Sequence, residues 1–503
     1  MSTTTALRGL PGRVLHAFRY DPHLRIAQRR WHRWQRRQAE APSAAAAIDD
    51  PQRHVLNFYG ADARLPFEPV VAQGPWLVAD TGAVVYDVGG YGMLSFGHAP
   101  TWCREVLAKP HVMANVMTPS RLQRRFTDAL RAHIGQTRVG DDVAAAAGGS
   151  GEASRCDEGT ATDDAGAGAS PDPAHAPSAC PYSHFAFLNS GSEAMELALR
   201  LADVRRADDG ATDATAATGA PTYIVLKNGF HGRTTQAARV SDSSRAAYRQ
   251  HLRSTAHPTQ AHVHTVPVND VAALHAKFNW LAHAGQRVDA MVMEPVMGEG
   301  NPGVAVERAF YKAARERTAA AGVPLIVDSV QAGLRATGYL SCVDYPDLRA
   351  EAPPEMEVFS KALGAGQYPL SVLACTPDVA ARTPTGIYGN TMTGNPKAME
   401  VGYETLRRVD AALVANVQAR GAQFKRVLED VARARPDVVE DVTGTGLLLA
   451  LHLRPSVDVM EVERRCRLNG LNVIHGGENA LRFTPWLGMG EGEVGLVQSA
   501  LTY

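Results

Sequence analysis

Val323-Pro-Leu-Ile-Val-Asp328-Ser-Val-Gln331 is a short apolar run that stops at an aspartate, and Phe359-Ser-Lys361-Ala-Leu-Gly364 stops in the same way at a lysine. Both runs have the length and composition of strands buried on both faces. In open α/β sheets ligands sit beyond the carboxyl ends of such strands, so the two charged residues are candidates for one site. Similar runs at Tyr223 to Leu226, Ala290 to Met293 and Ser371 to Ala374 alternate with helical patterns at Glu193 to Val204 and Arg308 to Ala321. That alternation predicts an α/β fold with a mostly parallel sheet flanked by helices. After Asn395, helices at about 396 to 408 and 411 to 434, then a strand-like run from Gly444 to Leu453, predict a smaller α+β domain. The expected division is a basic extension over 1–50, an N-terminal segment of the small domain over 51–110, a large domain over 111–394 and a C-terminal small domain over 395–503. Within the large domain, 140–178 and 207–221 are nearly devoid of large apolar residues and are expected to be disordered inserts.

The 503 residues are 45% apolar, enough for a large core, and carry a formal net charge of -1, so the chain as a whole offers nucleic acid no electrostatic footprint. Its six cysteines form no CxxC pair, which argues against a zinc site or disulfide framework and favours a reducing, cytoplasmic setting. No apolar run approaches the length of about 18 residues that a membrane span needs. From Leu7 to Gln38 nine arginines are scattered among apolar residues in an amphipathic pattern. This arm reads as a membrane-surface or partner-binding helix, as an organelle-targeting segment, or as a solvated extension packed loosely on the body.

Asn189-Ser190-Gly191-Ser192 ends an apolar run and opens a helix. Its free amides and positive dipole end suit a phosphate, although the same pattern is ordinary helix capping. In Phe230-His231-Gly232-Arg233-Thr234 an aromatic at a strand exit can stack on a flat ring, and Arg233 can pair with a carboxylate. The alternative is a core phenylalanine beside a surface arginine. A carboxylate at Asp328 suits a pyridinium nitrogen, whose protonated ring is an electron sink; a helix N-cap is the plainer reading. Only seven of the 51 basic residues are lysine, and Lys361 alone lies between two strand-like runs, where desolvation favours the neutral, nucleophilic amine.

With these residues in order, the chain resembles the class III pyridoxal phosphate-dependent aminotransferases of fold type I. The motifs are Asn-Ser-Gly-Ser-Glu-Ala (189–194), Phe-His-Gly-Arg-Thr (230–234), Glu-Pro-Val-Met-Gly-Glu-Gly (294–300), Asp-Ser-Val-Gln (328–331), Ser-Lys-Ala-Leu-Gly (360–364) and Thr-Met-Thr-Gly-Asn-Pro (391–396). The resemblance covers roughly residues 55 to 503 without the two inserts, and Gly366 to Ser371 with Tyr59 to Ala61 look most like the ornithine enzymes. The resemblance implies that Lys361 is the Schiff-base lysine and proton carrier, that Asp328 pairs with the ring nitrogen, and that Gly191 and Ser192 bind the phosphate. It implies that Phe230 stacks on the ring, that His231 belongs with the cofactor-binding residues, and that Gln331 reaches the phenolic oxygen. Thr391 would reach the phosphate of the neighbouring subunit, which implies a homodimer with composite sites. For substrate, Arg233 would hold the α-carboxylate of a diamino acid, Glu299 and Arg482 would form a switch between amino donor and 2-oxoglutarate, and Tyr91 would line the pocket.

Four departures bear on substrate identity. Ser329 stands where the family has glutamate, Thr393 where it has glycine, Leu334-Arg335-Ala336 breaks the usual Phe-Gly-Arg order, and Ala63-Arg64-Leu65 lies where ornithine enzymes have a tyrosine. The expected reaction is transfer of an amino group, an ω-amine, to 2-oxoglutarate by a ping-pong mechanism. A decarboxylase, aminomutase or epimerase on the same fold is the alternative, and a non-catalytic interaction protein a third reading.

Overall fold

The computed structural model describes residues 7–40, 63–113, 115–138, 179–208, 220–251 and 262–502, together with part of 52–60. The expected insert 140–178, residues 209–219 of the second, the linker 41–50 and Cys156 lie outside the described residues.

In the N-terminal segment, β1 (Pro69–Gln73), β2 (Trp76–Ala79) and β3 (Val84–Asp87) form an antiparallel meander. The large sheet takes β4 (His184–Leu188), β5 (Thr222–Leu226), β6 (His262–Val266), β7 (Ala290–Met293), β8 (Leu325–Asp328), β9 (Met356–Phe359) and β10 (Ser371–Cys375). Their order across the sheet is β4-β10-β9-β8-β7-β5-β6. From β9 to β6 every pairing is parallel, and β10 runs antiparallel to both its neighbours. The C-terminal strands are β11 (Val439–Thr445), β12 (Leu448–Leu453), β13 (Leu471–Asn472), β14 (Ile474–Gly476) and β15 (Ala480–Phe483). β13 pairs in parallel with β3, so the two ends of the chain share one sheet.

The central strands β5, β7, β8, β9 and β10 are buried along their whole length, which is why their sequences are mostly apolar rather than alternating, with Glu357 inside β9 the exception. Their side chains still alternate between faces. Val225, Val292, Ile326 and Val358 pack with Leu197 and Leu201 of the helix Gly191–Asp208, whereas Ile224, Met291, Leu325 and Phe359 join the cluster that holds Phe310 of the helix Arg308–Ala321.

Three expected elements differ. The run Gly444 to Leu453 is a hairpin, because Gly446 turns the chain at φ +56° and Thr445 pairs with Leu448. The helix after Ser190 continues to Asp208, past the expected end at Val204. The basic arm is two helices, Gly12–Ala17 and Pro22–Glu40, split where Asp21 caps the second by accepting the Leu24 amide at 2.7 Å and Pro22 opens it. Nor is the arm loosely attached. Leu24 and Ala27 are buried, Trp76 donates its indole N–H to Asp21 at 3.0 Å, and Phe18 meets the Trp76 ring edge-on at 5.5 Å. Among the described residues no helix is long and apolar enough to cross a membrane, no group of three or more His, Cys, Asp or Glu could hold a metal ion, and the five cysteines are free.

The long helix Ala411–Ala434 meets the hairpin turn at Gly421, where an added Cβ would lie 2.4 Å from the Gly446 Cα. Gly421→Ala is therefore expected to destabilise the protein by about 1–3 kcal/mol in denaturant titrations. Gly495→Ala, in the helix Glu491–Leu501 with nothing within 4 Å of the new methyl, should raise stability by up to about 1 kcal/mol.

Candidate active site

The carboxyl ends of β5, β7, β8 and β9 open into one cavity of about 410 Å³. Gly191, Ser192, Phe230 and His231 line it together with Asp328, Gln331 and Lys361, so seven of the sequence-derived site residues converge.

Asp328 ends β8 and starts no helix, which removes the N-cap reading. One carboxylate oxygen accepts the Val330 amide at 3.1 Å, and the other lies 2.9 Å from Nδ1 of His231, whose side chain is wholly buried. Burial opposes a charge on that imidazole, but its bond to Asp328 and the nearby carboxylates outweigh burial and hold it above its ordinary value. Beyond it stands Glu294, accepting the amides of Phe230 at 3.0 Å and Gly298 at 2.8 Å. Burial pushes Glu294 up to about 7, against the pull of His231. Glu294 was not singled out from the sequence, yet it carries the same signal as Asp328: a carboxylate where a buried strand stops.

Lys361 sits at φ +46° at the start of a tight turn, and its amine donates to the Gln331 side-chain oxygen at 2.5 Å. Burial drags the amine down to about 8, with Arg482 adding to the fall and Glu299 opposing it. The Gln331 amide nitrogen meanwhile donates to the Gly298 carbonyl at 3.3 Å. Opposite, the helix Gly191–Asp208 begins. Glu193 caps the amides of Asn189 and Ser190 at 2.9 and 3.1 Å, and Gly191 and Ser192, in the first turn of the helix, line the cavity. Gly191 is required here, because a Cβ would lie 2.8 Å from Val330.

The remaining expected residues surround the mouth. Arg482 on β15 is buried, pairs with Glu299 and donates to the Gly298 carbonyl at 3.0 Å. Burial would raise Glu299, but Arg482, Lys361 and Arg233 together hold it below the usual carboxylate range. Arg233 is exposed, its guanidinium carbon 5.6 Å from the Phe230 ring and 5.9 Å from that of Tyr59. Tyr59 also lies 6.4 Å from Tyr91, a 42% exposed residue at φ +50°. Tyr59 was read only as part of a likeness to ornithine enzymes, since no local pattern marks a residue of the N-terminal segment as facing Glu299 and Arg233. Thr391 is exposed and, like Arg233, Glu299, Arg482 and Tyr91, outside the cavity lining. Its neighbour Asn390 accepts from Asn189 at 3.2 Å, and Thr393 accepts the Asn390 amide at 3.1 Å.

The departures have partners. Ser329 donates to Glu357 on the adjacent strand β9 at 2.5 Å, and this wholly buried carboxyl also accepts Tyr182 at 2.8 Å, the Cys342 amide at 2.8 Å and the Ser341 hydroxyl. Burial raises Glu357 against those four hydrogen bonds. Arg335, also wholly buried, donates to the carbonyls of Pro485 and Gly92 and so ties the Tyr91 loop to the strand carrying Arg482; burial, then Arg482, bring it down to about 9.

The aminotransferase class III family model matches residues 175–499. The chain belongs to the class III aminotransferases. Pyridoxal 5'-phosphate is the cofactor of that family, and the fold is its type I architecture. A mitochondrial acetylornithine aminotransferase from Debaryomyces hansenii is 31% identical over 300 residues, 59% of this chain and 60% of that protein. The acetylornithine aminotransferase of Synechocystis is 31% identical over 61% of this chain and 68% of its own length. Among solved structures, the ornithine aminotransferase of Toxoplasma gondii, which holds pyridoxal phosphate at partial occupancy, superposes with a TM-score of 0.69 over 90% of this chain and 91% of that one at 22% identity, a likeness of fold.

Glu357→Ala is expected to destabilise the protein by about 3 kcal/mol, since it strands buried hydroxyl and amide donors. Ser329→Glu, which sets a second carboxylate against Glu357, should also destabilise it and be partly relieved by Glu357→Gln. Additive effects in the double-mutant cycle would contradict the pairing.

Proposed function

We propose that the protein moves the ω-amine of a diamino or ω-amino acid to 2-oxoglutarate by a ping-pong mechanism, with Lys361 as its catalytic base and Schiff-base lysine. The observation that carries this reading is the Glu299–Arg482 ion pair beside an amine brought down to about 8. The cavity fits the cofactor: two residues of a helix's first turn line it, Phe230 offers a flat wall, and the buried Nε2 of His231 has no partner. Bound there, pyridoxal phosphate supplies an electron sink for charge developing at the substrate carbon.

The chain's own residues do the rest. Gly191 and Ser192 hold the phosphate by their amides at the helix N-terminus. Asp328, fixed by His231 and the Val330 amide, would pair with the ring nitrogen of the bound cofactor. Lys361, neutral in an appreciable fraction near pH 8, is the nucleophile and then carries the proton at its Nζ. Gln331, bonded to that amine, would reach the phenolic oxygen of the bound cofactor. Glu299 masks Arg482 while the donor amine reacts, and Arg233, beside Tyr59, takes the donor's carboxylate at the mouth with Tyr91 near it. When Glu299 swings aside, Arg482 binds the carboxylate of the oxo acid.

A homodimer completes this reading. Val112, Met113, Val116, Met117 and Met392 are 78, 59, 61, 83 and 47% exposed, and the Val116 amide donates to the Thr393 carbonyl at 3.1 Å, so the apolar patch adjoins the Thr391 loop. A second copy seated there would bring Thr391 to its partner's phosphate.

Lys361→Ala should abolish turnover and remove the borohydride-stable adduct from the peptide around 361. In the wild type, the rate of cofactor capture by apoenzyme should rise with pH through a midpoint of about 8 and level off about one unit higher, where roughly nine-tenths of Nζ is deprotonated. A rate still climbing toward 10 would contradict the lowered amine. Glu299→Gln should slow the donor half-reaction about tenfold while sparing that with glutamate, and Arg482→Ala should do the opposite. A donor screen of ornithine, N-acetylornithine, lysine, 4-aminobutyrate and putrescine tests Arg233, since a preference for putrescine, which has no carboxylate, overturns its role. Stoichiometric loss of 2-oxoglutarate excludes the isomerase and decarboxylase alternatives.

A further inference from the structure

The helix Pro22–Glu40 has two unlike faces. Leu24 and Ala27 are buried on the body, and the helix lies along β1 and β2. Residues 26, 29, 30, 33 and 37 follow one another at helical spacing and form a stripe on the outer side. Together with Arg104, from the helix Thr101–Ala108, and Gln73, at the end of β1, they enclose a groove of about 470 Å³. Five of its lining residues are arginine: Arg29, Arg30, Arg33, Arg37 and Arg104.

Such crowding is unfavourable in the free protein. Like charges three or four apart on a helix cost a few tenths of a kcal/mol per pair. Among the described residues no carboxylate pairs with any of the five. Arg30 reaches back to the Ala72 carbonyl at 3.3 Å, and its guanidinium is held below its ordinary value by burial, then by Arg104 and Arg33. Against this, from Leu7 to Gln38 the chain has nine arginines and a single acid, Asp21, which is occupied in capping the helix and binding Trp76. Gln73, at the floor of the groove, is only 3% exposed, and its side-chain Oε1 is buried with no hydrogen-bond partner.

The geometry points to a binding site, separate from the catalytic cavity, for a soluble compound carrying two or more closely spaced phosphate groups. Planar guanidinium forks match phosphate oxygens two at a time, and several adjacent negative charges are needed to relieve five positive ones. A single carboxylate would leave four uncompensated. A membrane surface is disfavoured because the apolar residues that a surface-lying helix inserts are here packed on the protein's own sheet. An extended nucleic acid is disfavoured because the basic surface is a short groove on a chain of net charge -1.

The test is calorimetric titration of the holoenzyme with tripolyphosphate, in parallel with phosphatidylglycerol vesicles and duplex DNA. Saturable binding of about one tripolyphosphate per chain is expected, with affinity weakened about tenfold or more by Arg33→Glu on one wall or Arg104→Glu on the other. Both side chains are exposed, so Tm and aminotransferase turnover should be unchanged, and either variant suffices if the other folds poorly. Absence of saturable binding, or an affinity unchanged in both variants, overturns the proposal. Binding confined to vesicles or to DNA, with none to tripolyphosphate, overturns it as well. The failure of any of these arms leaves the reading of the catalytic cavity untouched, because none of the groove residues lines it.

Discussion

Everything at the site depends on one constraint: charges gathered at the carboxyl edge of a fully buried parallel sheet must be paired, because so little water reaches them. Strands β7, β8 and β9 stop side by side, and their exits put Glu294, Asp328 and Lys361 around one cavity. Each charge has an answer from elsewhere in the chain. Asp328 has His231, Glu294 has two backbone amides, and Glu299 has Arg482. Lys361 has a neutral hydrogen-bond partner in Gln331, and burial brings its amine down to about 8.

The same constraint explains the departures from the family pattern. Where a glutamate is usual after the strand-ending aspartate, this chain has Ser329, and a carboxyl from β9, Glu357, occupies the space beside it with four hydrogen bonds. The acid of this polar cluster thus comes from the neighbouring strand. Arg335 likewise works through carbonyls, bridging the Gly92 loop and Pro485, and so fixes how the mouth loop sits relative to Arg482. The C-terminal strands reach the site by this route, since β13 pairs with β3 and the loop after β3 carries Tyr91.

Much of the fold was legible because the buried strands are short, apolar and bounded, and the helices between them keep their period. What was misread was local. Leu447 to Leu449 continue the apolar run through the turn at Gly446, so a hairpin looks like one strand. The arm looked like a single amphipathic helix because its apolar positions continue across Asp21-Pro22, and only the cap geometry shows the break.

By itself the sequence determined the α/β class, the order of the motifs and the identities of Lys361 and Asp328, since strand burial and the stop at a charged residue are properties of neighbouring positions. The tertiary structure decided which distant residues answer those charges. Tyr59 beside Arg233, Glu357 beneath Ser329, Arg482 on Glu299 and five arginines around Gln73 are separated by tens to hundreds of positions. Such pairings leave no periodic trace along the chain, because what selects them is the shared lack of water at a point in space.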